Sequence, residues 1–106
     1  MKIKLAKKEI IHFIGIGGIG MSGLSLIMKG QGFKVQGSDI NNNKNIDRLR
    51  KEKIKIFLDQ LKKNLKNATI VVVSSAIKKN NPELVEAKRR KIPIIKRGEM
   101  LASVVS

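Results

Sequence analysis

One stretch of the chain reads Glu9-Ile10-Ile11-His12-Phe13-Ile14-Gly15-Ile16-Gly17-Gly18-Ile19-Gly20. From Glu9 to Ile16 it is mainly β-branched and apolar on both faces, which is typical of a central parallel strand covered by helices on either side. The strand breaks at Gly17, and apolar residues then recur at helical spacing up to Gly30 and Gly32, namely Met21, Leu24, Ile27 and Met28. The pattern predicts a strand, a tight turn and a helix.

The remaining chain alternates strand and helix signals. Further strands are predicted over 33–39, 54–57, 69–73 and 92–95, where Pro93 favours an edge or a strand start. Helical turns are predicted around Ile46 and Leu49, after Leu61 with Leu65, over 84–91 behind the cap Asn81-Pro82-Glu83, and from Gly98 onward, with an inner face of Met100, Leu101, Val104 and Val105.

This alternation predicts a single α/β domain over residues 1–106. Its expected architecture is a Rossmann-like open parallel sheet of five strands in the order 3-2-1-4-5, with right-handed crossovers and helices on both faces. Ligands bind such sheets at the carboxyl ends of the strands, near the point where the strand order reverses. That point lies between strands one and four, so two segments matter most: Gly15 to Ser22 and Ser74 to Ile77.

The composition limits the classes of protein to consider. The chain has 106 residues, 42% of them hydrophobic, and its 23 Lys and Arg against 8 Asp and Glu give a net charge of +15. Such a charge attracts nucleic acid, anionic membrane surfaces or phosphorylated ligands. Lys outnumbers Arg, only three Phe are present, and Tyr and Trp are absent, so solvated surface charge is favoured over a nucleic-acid interface.

Several kinds of site and location are excluded or disfavoured. No cysteine and one histidine exclude disulfides, thiol nucleophiles and histidine-rich metal centres. No apolar run reaches the roughly 18 residues of a membrane span, and the basic start from Met1 to Lys8 lacks a small-residue cleavage site. A cytoplasmic protein that binds no membrane is expected.

The glycines match the pattern G-x-G-x-x-G at Gly15, Gly17 and Gly20, directly after a strand. Backbone amides in such a turn bind a diphosphate, although glycine there can also serve only close packing of helix and strand. Asp39 lies 19 positions beyond Gly20. Its carboxylate can accept hydrogen bonds from a ribose or can cap the following turn, and both roles stay open, as they do for Ser38 beside it.

The remaining polar residues at this edge suggest binding without catalysis. Ser74 and Ser75 offer donors, but no base is placed to activate them, and His12 lies mid-strand as a core histidine would. Arg97 is expected to reach an anionic ligand, whereas Lys96 is expected to be solvated. No catalytic acid and base pair and no metal cluster is evident, so neither catalytic nor metal-ligating residues are predicted.

Several blocks, taken together and in order, resemble the amino-terminal domain of the Mur ligases. They are His12 to Leu24, Gly37-Ser38-Asp39, Val72 to Ile77, Asn81-Pro82-Glu83, and Ile92-Pro93-Ile94 followed by Arg97, Glu99, Met100 and Leu101. The run from Gly15 to Gly23 is most similar to the members that join L-alanine to UDP-N-acetylmuramate, ahead of the tripeptide-recycling members. Outside this family, the residues are also compatible with an NAD(P)-binding Rossmann module of a dehydrogenase or regulatory protein, or with a nucleic-acid-binding module.

The resemblance implies that the ligand is UDP-N-acetylmuramate and that amides of Gly17, Gly18, Ile19 and Gly20 face its diphosphate. The full set of implied contacts is Gly15, Gly17, Gly18, Ile19, Gly20, Met21, Ser22, Ser38, Asp39, Ser74, Ser75, Ala76 and Arg97. It also implies a peptidoglycan-precursor ligase whose central and carboxyl-terminal domains use ATP, Mg²⁺ and L-alanine. The family's Gly-Thr-His-Gly-Lys-Thr loop would follow Leu101 and is not in this sequence, so these 106 residues alone are not expected to ligate.

Overall fold

The structure is a computed structural model that describes residues 4–105. Met1, Lys2 and Ile3 of the basic start, and Ser106, lie outside the described residues. The strands are β1 (Ile10–Ile14), β2 (Lys34–Ser38), β3 (Lys55–Phe57), β4 (Ile70–Val73) and β5 (Ile94–Lys96). The helices are α1 (Met21–Gly30), α2 (Lys44–Lys51), α3 (Pro82–Arg89) and α4 (Arg97–Val105), with a short 3-10 helix over Lys62–Leu65.

The five strands form one parallel sheet in the order β3-β2-β1-β4-β5. The predicted fold class and strand order are therefore confirmed. In register, Ile14 at the end of β1 lies beside Ser38 of β2 and Val73 of β4. This alignment places the loops that follow β1, β2 and β4 next to one another at the carboxyl edge of the sheet.

Side chains alternate between two cores on opposite faces of the sheet, as the period of two in a strand requires. Phe13 and Val72 pack on the face covered by α1, α2 and α4. Val71 and Leu84 pack on the face covered by α3 and the 3-10 helix, and all of β4 is buried. Both faces are covered, as parallel sheets require.

The structure revises several local predictions. β1 ends at Ile14, because Gly15 has a φ of 80° and turns the chain, and the last strand is Ile94–Lys96, directly after Pro93. Three residues predicted to face inward are exposed instead: Ile27, Leu61 and Val105. The predicted cap at Asn81 is present, since its side chain accepts from the amides of Glu83 and Leu84. Asn43 caps α2 in the same way by accepting from the amide of Ile46.

Gly37 allows β2 to lie close to the turn after β1. A Cβ atom added at Gly37 would lie 2.6 Å from Cδ1 of Ile16 and 2.8 Å from the carbonyl oxygen of Phe13. Contacts this short are not tolerated between real atoms, so the position demands glycine.

Within the described part of the chain, the helices are too short or too polar to cross a membrane.

Candidate functional site

A cleft of about 620 Å³ opens at the carboxyl edge of the sheet. Its walls come from the loops after β1, β2, β3 and β4 and from the start of α3. The lining residues are Gly15, Gly18, Asp39, Ile40, Asn41, Gln60, Ser74, Ala76, Ile77, Lys78, Asn80, Asn81 and Pro82. The cleft thus lies at the reversal of strand order, where such sheets bind ligands.

Most amides of the glycine loop are used within the chain. Those of Gly15 and Ile16 both donate to the carbonyl oxygen of Ser38 at 2.9 Å, and that of Gly18 donates to Gly15 at 3.1 Å. The amide of Gly17 donates to Oδ2 of Asp39 at 2.8 Å. The amides of Gly17 and Gly18 thus have acceptors within the chain, and their contact with a ligand stays a prediction.

The two amides that follow have no acceptor among residues 4–105. They belong to Ile19 and Gly20, immediately before α1 begins at Met21. No side chain caps this helix, and its first turn holds no acidic residue. The positive end of the helix dipole and two free donors are therefore available to an anion at this point.

Arg97 lies against the start of α1. A Cβ atom added at Gly20 would lie 3.2 Å from Cδ and 3.3 Å from Nε of Arg97. Gly20 also has a φ of 83°, a conformation that favours glycine. Arg97, the first residue of α4, is thus next to the free amides, while its predicted contact with an anionic ligand stays a prediction.

Asp39 braces two loops at once. Its Oδ2 accepts from the amide of Gly17 and its Oδ1 accepts from the amide of Asn41 at 3.0 Å, and the residue is only 8% exposed. The turn-capping role is therefore present in the structure. The same carboxylate also fixes the glycine loop, a contact that the sequence did not indicate.

Three residues that the resemblance assigned to the ligand have buried side chains. Ser38 is fully buried and its hydroxyl donates to Glu83 at 2.6 Å, while Met21 and Ser22 are 1% and 4% exposed. The amides of Met21 and Ser22 both donate to the carbonyl oxygen of Gly18. The Ser38 hydroxyl and the amides of Met21 and Ser22 thus have acceptors within the chain, whereas the Ser22 hydroxyl has none among residues 4–105. Contact of these three residues with a ligand stays a prediction.

The start of α3 orients a polar group in the cleft. Oδ1 of Asn81 accepts from the first amides of the helix, so its Nδ2 is the atom that donates to Oε1 of Gln60 at 2.8 Å. The amide nitrogen of Gln60 must then be its free end, and it has no acceptor among the described residues. Gln60, which lines the cleft, therefore has two donor hydrogens that no described residue accepts.

A smaller cleft of about 270 Å³ adjoins the first at Ser74. It is lined by Val73, Ser74, Ser75, Lys96, Arg97, Gly98 and Glu99. Lys96 is exposed, as expected of a solvated residue, and it also lines this cavity beside Arg97. The two cations make this cavity suitable for a negatively charged group.

The structure places Ser74, Ala76 and Arg97 at the two clefts, where the sequence predicted them, and adds lining residues that the sequence did not indicate. The missed residues that carry polar side chains are Asn41, Gln60, Lys78, Asn80 and Asn81. Gln60 could have been found, because it follows β3 and the carboxyl ends of all parallel strands meet at one edge. His12 is fully buried and hydrogen-bonded on both ring nitrogens, which confirms a core histidine.

Comparisons with known proteins point to one family. Residues 10–106 match the family model described as "Mur ligase family, catalytic domain". The chain is 71% identical over 106 residues to a protein named UDP-N-acetylmuramate–L-alanine ligase from Pelagibacter ubique, covering 100% of this chain and 23% of that one. A protein of the same name from Rickettsia prowazekii is 60% identical over 95 residues, which cover 90% of this chain and 19% of the relative.

Solved structures are also similar. The crystal structure of UDP-N-acetylmuramate–alanine ligase from Thermotoga maritima matches with a TM-score of 0.84 and 37% identity, over 87% of this chain and 21% of that chain. A ligase from Neisseria meningitides, titled UDP-N-acetylmuramate:L-alanyl-gamma-D-glutamyl-meso-diaminopimelate ligase, matches with a TM-score of 0.85 and 27% identity, over 92% and 31% of the two chains. The chain spans about a fifth to a quarter of the length of the curated relatives.

A dehydrogenase module finds no support in these comparisons, although the glycine pattern alone left it open. The similar proteins and solved structures named above are all ligases. The match covers nearly the whole described chain. The chain belongs to the Mur ligase family.

Proposed function

We propose that this chain is the UDP-sugar-binding domain of a UDP-N-acetylmuramate–L-alanine ligase, which forms an amide during peptidoglycan precursor synthesis in the cytoplasm. One observation carries the proposal: the free amides of Ile19 and Gly20 lie at the uncapped start of α1, beside Arg97. Two donors, a helix dipole and a guanidinium together suit a diphosphate. The names of the relatives supply the ligand to which that diphosphate belongs.

The two clefts suggest how a UDP-sugar would lie. The diphosphate would contact Ile19, Gly20 and Arg97, and the nucleoside would occupy the larger cleft, where Gln60 offers donors to a carbonyl oxygen of the base. The sugar would extend toward the smaller cleft, whose Lys96 and Arg97 suit the muramic carboxylate. Ser74 lines both clefts and would lie near the middle of the ligand.

The residues of this chain do not fit an ATP–Mg²⁺ site. The sequence contains no Gly-x-x-x-x-Gly-Lys-Ser/Thr loop, and across residues 4–105 no three His, Cys, Asp or Glu side chains are grouped to hold a metal ion. We therefore assign no step of phosphoryl transfer to this chain. The family's reaction activates the muramic carboxylate with ATP before L-alanine attacks, and in this proposal those steps belong to other domains of the relatives.

A second ligase substrate must be weighed, because the Neisseria structure is as similar in fold as the Thermotoga one. That protein is named for UDP-N-acetylmuramate and for the tripeptide L-alanyl-gamma-D-glutamyl-meso-diaminopimelate. The higher sequence identities, 71% and 37%, are to the alanine-adding proteins. We therefore favour the alanine-adding reaction, and the ligand proposed for this domain is UDP-N-acetylmuramate, which both names contain.

Thermal denaturation with added ligands tests the proposal. A ligand that binds only the folded state raises the melting temperature in proportion to the logarithm of its concentration. UDP should raise the melting temperature of this chain, and NADH at the same concentration should not. The reverse result, or a shift with duplex DNA that exceeds the shift with UDP, would refute the proposal.

A further inference from the structure

A cluster of buried polar side chains lies behind the wall of the larger cleft, between the sheet and α3. At its centre, Oε1 of Glu83 accepts from Nε2 of His12 and from the hydroxyl of Ser38, each at 2.6 Å, and Oε2 accepts from Nδ2 of Asn64 at 2.9 Å. His12, Ser38 and Glu83 are fully buried, and Asn64 is 1% exposed. The proposed function uses none of these contacts directly.

The neighbouring amide fixes the protonation of the histidine. Nε2 of Gln36 faces the carbonyl oxygen of Asn64 at 3.0 Å, so this atom must be the nitrogen of the amide. The same nitrogen lies 2.8 Å from Nδ1 of His12. Because an amide nitrogen only donates, Nδ1 must accept, and the histidine is neutral with its proton on Nε2.

Glu83 is therefore a buried carboxylate whose partners are three uncharged donors. A buried charge costs several kcal/mol unless hydrogen bonds replace its water, and here they do so from β1, β2 and the 3-10 helix. Glu83 is also the second residue of α3, next to the positive end of that helix dipole. An apolar side chain could fill the same space but could not hold three donors.

Two of the three partners of Glu83, Ser38 and Asn64, connect it to residues of the cleft. Ser38 precedes Asp39, which braces Gly17. Asn64 also donates to Oδ1 of Asp59 at 2.7 Å, one residue before Gln60. The two residues before Glu83, the N-cap residue Asn81 and the first helical residue Pro82, also line the cleft.

We propose that Glu83 is a positioning residue of the cleft: its ionised carboxylate, with neutral His12, sets the glycine loop, Gln60 and the start of α3 relative to one another. The effect on ligand affinity rests on the proposed function. The effect on the geometry of the cleft in the ligand-free protein does not rest on it. These two consequences can be measured separately.

The test compares Glu83→Gln with Glu86→Gln in the 106-residue chain. Glu86 lies one turn along α3 and pairs with Arg89, which donates at 2.8 Å and holds the pKa of the Glu86 carboxyl below its usual value. Glutamine at 83 has the same shape but turns one acceptor into a donor, so at least one of the three donors loses its partner. The NMR signals of backbone and side-chain amides report the local geometry of the cleft residues. Calorimetry measures the dissociation constant for UDP.

We expect Glu83→Gln to remain folded, to shift the NMR signals of Gly17, Asn81 and the Gln60 side chain, and to raise the dissociation constant for UDP by about tenfold. Glu86→Gln should leave these signals in place and the constant within about twofold of wild type. A folded Glu83→Gln variant with unchanged cleft signals, or with wild-type affinity for UDP, overturns the proposal. If wild type does not bind UDP, the proposed function fails, and the cleft signals alone then decide the role of Glu83.

Two further measurements cover the case in which Glu83→Gln does not fold. Ser38→Ala removes one donor and leaves no unpaired group, so it should fold, shift the same cleft signals and weaken UDP binding by about threefold. The chain has a single histidine, so the ring nitrogen signals of wild type report His12 alone. A neutral ring protonated on Nε2 is expected, and a charged ring or a proton on Nδ1 would contradict the assignment.

Discussion

The carboxylate of Asp39 holds the amide of Gly17 at 2.8 Å across the end of the sheet. This hydrogen bond joins the loop after β2 to the loop after β1, and a second one to the amide of Asn41 completes the brace. In dinucleotide-binding sheets an acidic residue at this place accepts from a ribose. Here both oxygens already accept from the backbone, so the residue shapes the loop.

The Asp39→Asn variant distinguishes two roles of Asp39, namely holding the glycine loop and recognising a ribose. Asparagine has one acceptor oxygen, so one of the two backbone amides loses its partner, and the free energy of unfolding should fall by about 1–3 kcal/mol. Affinity for UDP and for inorganic pyrophosphate should fall together, because both use the amides of the same loop. Calorimetry on the two ligands checks this, with Asp47→Asn on the exposed side of α2 as the control. Loss of UDP affinity alone would assign Asp39 to the ribose.

Arg97→Ala should weaken UDP binding by about tenfold or more, since a hydrogen bond between charged groups contributes about 1.5–3 kcal/mol. The matched control is Lys96→Ala, at the preceding residue of the same small cleft. UDP lacks the sugar that would reach Lys96, so this control should change UDP affinity by about twofold at most. An equal loss of UDP affinity in the two variants would indicate general attraction between opposite charges, and moderate salt would then abolish the difference from wild type.

Gly37→Ala should destabilise the chain by about 1–3 kcal/mol or more, because the added methyl group overlaps Ile16 and the backbone of Phe13. Gly23→Ala in α1 is the control, since an added Cβ meets nothing within 4 Å there. That change should raise stability by about 0.5–1 kcal/mol, as glycine in a helix interior is unfavourable. Urea unfolding of both variants measures the change in the free energy of unfolding. Equal changes in the two variants would contradict the close approach at Gly37.

The purified 106-residue chain should not turn over ATP in the presence of UDP-N-acetylmuramate and L-alanine. The physical reason is that its residues supply neither a phosphate-binding lysine loop nor a grouped metal-binding set among residues 4–105. A phosphate-release assay with a full-length relative as the positive control checks this. A rate of phosphate release that rises in proportion to the concentration of the purified chain would contradict this prediction.

Much of the fold could be predicted because its signals are local. The apolar run at β4 and the caps Asn43 and Asn81 each lie within a few residues of the element that they define. The strand order followed from chain alternation and the rule for crossovers. Boundaries shifted where a single backbone angle decided them, as at Gly15.

The site was harder to predict, because its decisive contacts join distant residues. His12 and Glu83 are 71 positions apart, and Gly17 and Asp39 are 22 apart. Nothing in the local pattern around Ser38 shows that its hydroxyl points into the core toward Glu83. Which glycine-loop amides remain free was likewise decided by tertiary partners, and the motif alone could not distinguish Gly17 from Gly20.

Calorimetric titration of the 106-residue chain with UDP-N-acetylmuramate, at moderate salt and with UDP and NADH in parallel, tests the central claim most directly. The claim predicts saturable binding of the UDP-sugar, weaker binding of UDP and no heat from NADH. Binding of NADH without binding of the UDP-sugar, or no binding of any of the three, would contradict it.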